Sequence, residues 1–231
     1  MLEFDGIMIA RGDFRLEADA AIPPGGVTAL MGASGSGKST LLDVAAGFLA
    51  PSAGRVRIGG ADVTDDPPGE RPLSILFQDQ NLFPHLTVAQ NAGLGLRPDL
   101  RLSPDQRYRR DAALARVGLA DLGDRLPREL SGGQRSRAAL ARALLRRRPW
   151  LLLDEPFSAL GPALRAEMLD LVAQTARADG LSVVMVTHDP GDARRVADRT
   201  ALVAEGRLHA PAPTDALFAE PPPALKDYLG A

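Results

Sequence analysis

The run Gly32-Ala33-Ser34-Gly35-Ser36-Gly37-Lys38-Ser39-Thr40 sets a lysine and a pair of hydroxyls directly behind a glycine-rich turn. Bare glycines let successive backbone N–H groups converge on phosphate oxygens, and a helix opening at the same place adds the positive end of its dipole. Lys38 then supplies a point charge to the β and γ phosphates of a nucleotide, and Ser39 a hydroxyl to Mg²⁺. A second group fits the same chemistry. Leu151-Leu152-Leu153 ends in Asp154-Glu155, and ligands of open parallel sheets collect beyond the carboxyl ends of the strands. Asp154 is expected to hold Mg²⁺, directly or through water, and Glu155 to polarise a water for in-line attack on the γ phosphate.

Such groups need strands and helices to aim them. Val27-Thr28-Ala29-Leu30-Met31 is a short apolar run opened by Pro23-Pro24-Gly25-Gly26, which suits a buried strand. Behind the glycine loop, Leu41, Leu42, Val44, Ala45 and Phe48 recur at helical spacing. Strand, loop and helix thus follow in the order the phosphate motif requires. Arg55-Val56-Arg57-Ile58 alternates before Gly59-Gly60, a half-exposed strand closing in a hairpin turn. Asp65 to Pro72 reads as a proline-rich surface loop and Leu73 to Phe77 as another strand.

For about sixty residues after that the pattern turns helical, with segments over 107–117 and 132–148. Arg135, Arg137, Arg142, Arg146, Arg147 and Arg148 make the second of these cationic, as a solvated face would be. Strands resume at 151–153 and 181–186, and between them Leu164, Met168, Leu171 and Val172 mark one face of a helix. Strands alternating with helices imply an α/β fold with a mostly parallel sheet. The expected organisation is one unit over 1–231, with a core at about 1–79 and 149–210, a helical insertion at about 80–148 and a tail at 211–231. Prolines at 211, 213 and 221–223 suggest that the tail is loosely attached.

Composition narrows the function classes. The chain has 231 residues, 45% of them apolar, enough for one core of ordinary size. Its 27 basic and 29 acidic residues leave a net charge of −2, which argues against a nucleic-acid backbone as partner. Cysteine is absent, so disulfides and thiolate chemistry are excluded. His85, His188 and His209 are too far apart in sequence to form a closely spaced ligand pair. Met1-Leu2-Glu3-Phe4-Asp5 carries acids where a signal peptide carries cations, and no apolar run is long enough to cross a bilayer. The expectation is a soluble cytoplasmic chain that meets any membrane through a partner.

Leu130-Ser131-Gly132-Gly133-Gln134 resembles the signature sequence of the ABC transporter ATPases. A hydroxyl and bare backbone N–H groups at a helix start make an anion site. The resemblance implies that Ser131, Gly132, Gly133 and Gln134 bind the γ phosphate of a nucleotide held by a second subunit. It implies too that Gln78 reaches Mg²⁺ and the attacking water and touches a membrane subunit, and that His188, after Val183 to Thr187, contacts the γ phosphate. The segment from Leu76 to Asn91, with Gly93-Leu94-Gly95-Leu96 and the short chain, is similar to the ATPase subunits of bacterial thiamine importers.

The fold so implied is a P-loop ABC ATPase core with a mostly parallel sheet, an antiparallel β subdomain and a helical subdomain insertion. ATP and Mg²⁺ follow as cofactors. The implied partners are a second copy bound head to tail, a transmembrane permease and, through it, an extracytoplasmic solute-binding protein, with no nucleic acid. The implied location is the cytoplasmic face of the inner membrane. An importer of another solute such as iron or a polyamine, a soluble ABC ATPase acting on nucleic acid, and a non-hydrolysing regulatory subunit are the competing readings. At two positions the chain departs from the family. Gly161 follows Ser158-Ala159-Leu160 where the family has aspartate. The aromatic ring that stacks on adenine has no counterpart at Ala10 or Arg11, so Arg11, by its guanidinium plane, or less readily Phe14, takes that place.

Overall fold

The computed structural model describes residues 1–79 and 81–230; Gln80, part of the segment from Leu76 to Asn91, lies outside them. The strands are β1 (Leu2–Arg11), β2 (Phe14–Ile22), β3 (Gly26–Met31), β4 (Ala53–Ile58), β5 (Ala61–Asp62) and β6 (Leu73–Leu76) in the first part of the chain. β7 (Trp150–Asp154), β8 (Ser182–Val186), β9 (Arg199–Ala204) and β10 (Arg207–Pro213) follow. The helices are α1 (Lys38–Ala46), α2 (Val88–Gly93), α3 (Pro104–Arg116), α4 (Gly132–Leu145), α5 (Pro162–Asp179), α6 (Pro190–Val196), α7 (Thr214–Ala219) and α8 (Pro223–Leu229).

One sheet joins the strands in the order β5-β4-β1-β2-β10-β9-β3-β8-β7-β6. Its β9-β3-β8-β7-β6 half is parallel, and its β5-β4-β1-β2 half antiparallel. The two halves meet at β10, parallel to β2 and antiparallel to β9. Alternation along the parallel strands divides the core between the two faces. Leu152, Val184 and Val186 pack with Leu41, Leu42 and Ala45 of α1. Leu151, Leu153, Val183 and Met185 pack with Met168, Leu169 and Val172 of α5.

Register fixes where the site must be. Leu30 pairs with Val186, Val186 with Asp154, and Leu153 with Leu76, so β3, β8, β7 and β6 all end at one edge. The phosphate loop, His188, the acid pair and Gln78 each leave the sheet within a few residues of those pairs.

α4 serves two cores at once. Ala139, Leu140 and Ala143 join the cluster around α5, while Ala138, Ala141 and Leu145 join Val88 of α2 and Leu114 of α3. Its arginines are not simply a solvated face. Arg135 donates to the Leu130 carbonyl, Arg137 pairs with Glu167 at 2.7 Å, and Arg142 donates to the Asn81 carbonyl. Burial accordingly pulls the Arg142 guanidinium below its ordinary value, with Arg146 adding to the effect.

Two other expectations change. The loop from Asp65 to Pro72 is not wholly at the surface, because Arg71 inside it is 2% exposed. Arg71 donates to the carbonyls of Val44 and Ala45 at the end of α1 and to those of Thr64 and Asp66. A cation there offsets the negative end of the helix that carries the phosphate loop. Nor is the tail loose among the described residues: Leu225 of α8 is 0% exposed, packed on Ala29, Met31, Ala193 and Leu202.

Candidate nucleotide site

The phosphate loop spans the gap between β3 and α1. Gly32 sits at φ 148°, and a Cβ there would lie 2.2 Å from the Val203 carbonyl oxygen; only glycine lets the loop leave the sheet so close to β9. Ser36 N–H donates to the Ala33 carbonyl at 3.1 Å, closing a turn. α1 begins behind Gly37 with no side-chain cap, so no capping side chain takes up its first N–H groups. The Ser36 hydroxyl is buried with no hydrogen-bond partner, an orphaned polar atom in a loop that would cradle phosphate. Ala33, Ser34 and Gly35 form the exposed crest, and Thr40 sits half-buried one residue beyond Ser39.

Lys38 is 6% exposed. Its ammonium bends back to the carbonyls of Gly32 at 2.9 Å and Ala33 at 2.8 Å. Burial pulls its pKa down, and the carboxylates of Glu155 and Asp154 oppose that pull. The Ser39 hydroxyl donates to Asp154 Oδ1 at 2.9 Å. Burial pushes the Asp154 carboxyl up and Glu155 adds to the push, while the Ser39 hydrogen bond and Lys38 work against it.

Glu155 is the first residue past β7 and takes φ 42°. A non-glycine residue in that region carries strain of about 1 kcal/mol. The kink turns its side chain away from Asp154 and toward β8, where Oε2 lies 3.2 Å from His188 Nδ1. Glu155 N–H donates to the Val186 carbonyl, and Ser158 returns both its N–H and its hydroxyl to the Glu155 carbonyl. His188 is held in turn by its neighbours: the Thr187 hydroxyl accepts from Asp189 N–H and donates to Asp192, which Arg165 of α5 grips through Nε and a terminal nitrogen. Sequence reasoning did not find this Arg165–Asp192–Thr187 chain, since its members are scattered over α5, α6 and the end of β8.

Gln78 emerges exposed beside this edge, two residues beyond the Leu76–Leu153 pair. Ser39, Asp154 and Gln78 are oxygen donors of the kind Mg²⁺ prefers. Among the described residues no three His, Cys, Asp or Glu side chains converge as a metal cage.

The signature residues stand elsewhere. Ser131 caps α4, accepting from Gln134 N–H at 3.3 Å, while the Gln134 amide oxygen accepts from Ser131 N–H at 2.9 Å. A Cβ on Gly133 would meet the Leu164 side chain at 2.1 Å, so α5 packs directly on the α4 backbone there; Gly132 beside it is half-buried. Among the described residues no hydrogen bond links Ser131–Gln134 to the phosphate loop. Arg11 is exposed at the tip of the β1–β2 hairpin, and its charge partly offsets the upward push of burial and Asp154 on Asp43 of α1. Phe14 lies with its ring against Gly37 and packs on the core.

The chain is similar to known proteins along its whole length. The thiamine import ATP-binding protein ThiQ of Cereibacter sphaeroides is 62% identical over 230 residues, covering 100% of both chains. Its namesake in a Ruegeria species is 56% identical over 231 residues, again covering both chains in full. Among solved structures, the dimeric bacterial ABC transporter cassette MJ0796 matches with a TM-score of 0.81 at 30% identity, over 93% of this chain and 99% of that one. CbiO1 of Clostridium perfringens, part of the transporter complex cbiONQ, matches with a TM-score of 0.83 at 30% identity, over 95% and 90%. The model of the ABC transporter family covers residues 17–158, from β2 through the phosphate loop, the signature and the acid pair, and this chain belongs to that family.

Proposed function

We propose that this protein is the ATP-hydrolysing subunit of an importer for thiamine. The observation that carries the chemistry is the Glu155–His188 contact of 3.2 Å, placed beside Ser39–Asp154 at the edge where β3, β8 and β7 end. The solute is drawn from the import proteins that this chain matches along its whole length.

In the mechanism, N–H groups of residues 33–39 and the Lys38 ammonium hold the β and γ phosphates, and Lys38 exchanges its carbonyl partners for phosphate oxygens. Ser39, Asp154 and Gln78 would hold Mg²⁺, which when bound neutralises charge on the phosphates. Glu155 accepts a proton from the attacking water, and His188 holds the γ phosphate side of the site. Arg11 stacks on the base.

Ser131, Gly132, Gly133 and Gln134 of a second copy, bound head to tail, close the pocket over the γ phosphate. Nucleotide binding favours the closed pair because both faces engage the same triphosphate, and hydrolysis removes that preference. The helical insertion at about 80–148 carries the signature and moves with closure. The permease seats in the cleft of about 410 Å³ lined by Phe48, Phe77, Phe83, Leu94 and Arg142, where Phe48 is 55% and Phe83 47% exposed. The subunit then works at the cytoplasmic face of the membrane. No helix among the described residues is long and apolar enough to cross a membrane.

Glu155→Gln is expected to retain ATP binding and to lose about 10²- to 10⁴-fold in hydrolysis, the worth of a positioned base. Turnover within threefold of the parent would remove Glu155 from this role. In liposomes holding the permease, solute-binding protein loaded with thiamine should stimulate ATP turnover, whereas protein loaded with iron or a polyamine should not. The reverse pattern would reassign the solute.

A further inference from the structure

α8 reaches back to the nucleotide edge. The Tyr228 phenol donates a hydrogen bond to the backbone carbonyl of His188, across 40 residues of sequence. We infer that Tyr228 is a positioning residue for hydrolysis: α8 fixes the His188 backbone so that the imidazole stays aligned on Glu155. The inference rests on the proposed roles of His188 and Glu155.

His188 needs such support. Its side chain is 54% exposed, and it sits in the short link between β8 and α6. On its N-terminal side the link is tied by the Thr187 hydroxyl, which bridges Asp189 N–H and Asp192. Tyr228 supplies the tie at the carbonyl of His188 itself. The peptide plane between His188 and Asp189 is thereby held from both ends, and with it the direction in which the imidazole leaves the backbone.

The helix behind Tyr228 is anchored well enough to transmit that constraint. Leu225, one turn earlier on the same face, is 0% exposed and packs on Ala29 and Met31 of β3, the strand that feeds the phosphate loop. α7 is pinned as well, with Phe218 lying 4.5 Å beneath the Arg194 guanidinium of α6. α8 therefore registers the His188 link against β3 instead of leaving it to solvent. The phenol remains a donor, because burial, with Asp189 and Glu155 nearby, raises its pKa above the ordinary tyrosine value.

Tyr228→Phe removes one oxygen and keeps the ring. In the complete transporter this variant should lose roughly two- to tenfold in maximal ATP turnover, the equivalent of one net hydrogen bond. Its KM for ATP and its thermal midpoint should stay at the parent values. In the nuclear magnetic resonance spectrum the His188 imidazole signals should shift or broaden, while those of His85 and His209 stay in place. Lys226→Ala, on the exposed face of the same helix, should change none of these. Unchanged turnover in Tyr228→Phe, or unperturbed His188 signals, overturns the inference, as does a loss of turnover matched by a fall in the thermal midpoint. His188→Ala distinguishes the failures: if it hydrolyses at the parent rate, the role of His188 itself falls. If it is inactive while Tyr228→Phe is unimpaired, the inference alone falls.

Discussion

Asp154, proposed to serve a nucleotide, stands where a carboxylate is inconvenient to the fold. Burial, with Glu155 next to it, raises its pKa in the folded protein. A raised carboxyl favours folding fully below its unfolded-state value, and that contribution is lost as pH rises through the folded-state value. Asp154→Asn keeps an acceptor for the Ser39 hydroxyl and removes the charge. Without nucleotide, its melting temperature at neutral pH should equal or exceed that of the parent. The difference should vanish as the pH falls through the Asp154 titration, and hydrolysis should be lost throughout. A variant that melts below the parent at neutral pH would show that the ionised carboxylate is stabilising there.

At this scale much of the candidate site was legible in the sequence. Gly32 to Thr40 and Asp154-Glu155 are contiguous, so chemistry and spacing appear together in the string. Tyr228, Arg165 and Asp192 carry no such pattern. Each acts through a partner 5 to 40 positions away, and only the folded sheet brings those positions together.

Among the elements, the start of α5 is under-capped. Gly161 is its N-cap, with φ −63°, ψ 157° and no side-chain hydrogen bond. Any residue can adopt that backbone, and a Cβ there meets nothing within 4 Å. Gly161→Asp should fit without strain, cap the helix and place a negative charge at its positive end. The expected gain is about 0.5 kcal/mol, read as a small rise in the chemical-denaturation midpoint. A lower midpoint would mean that the glycine serves the fold in some other way.

β1 and β2 show why some elements were hard to read. In β1 the pairing register shifts between Phe4 and Ile7, so the inward residues Phe4, Ile7 and Ile9 break the two-residue rhythm of a strand. In β2, Leu16, Glu17, Ala18 and Ala20 are good helix formers, and the strand state comes from pairing with β1 and β10. α8 was hidden for a different reason. Pro221-Pro222-Pro223 looks like a linker, yet Pro223 sits in the first turn of the helix, where proline is tolerated.

At the scale of the molecule, the phosphate loop and the signature lie on separate elements with no hydrogen bond between them among the described residues. On the proposed function, one copy offers two half-sites. Glu155→Gln with ATP and magnesium should sediment as a dimer and return to monomer when ATP is replaced by ADP. A strictly monomeric species at high concentration, with the permease also failing to gather two copies, would remove the shared pocket.

β10 has a consequence for how the chain is made. It fills the seam between the sheet's halves, between β2 and β9, yet it comprises Arg207–Pro213, far behind β2 in chain order. As the polypeptide leaves the ribosome, the early hairpin must wait with the outer rim of β2 unpaired until β10, seven strands beyond β3 in the described chain, has emerged. Such an open rim invites pairing with neighbouring nascent chains. A stop codon shortly before residue 207 should therefore yield insoluble material, even though every residue of the phosphate loop and the acid pair has already been synthesised.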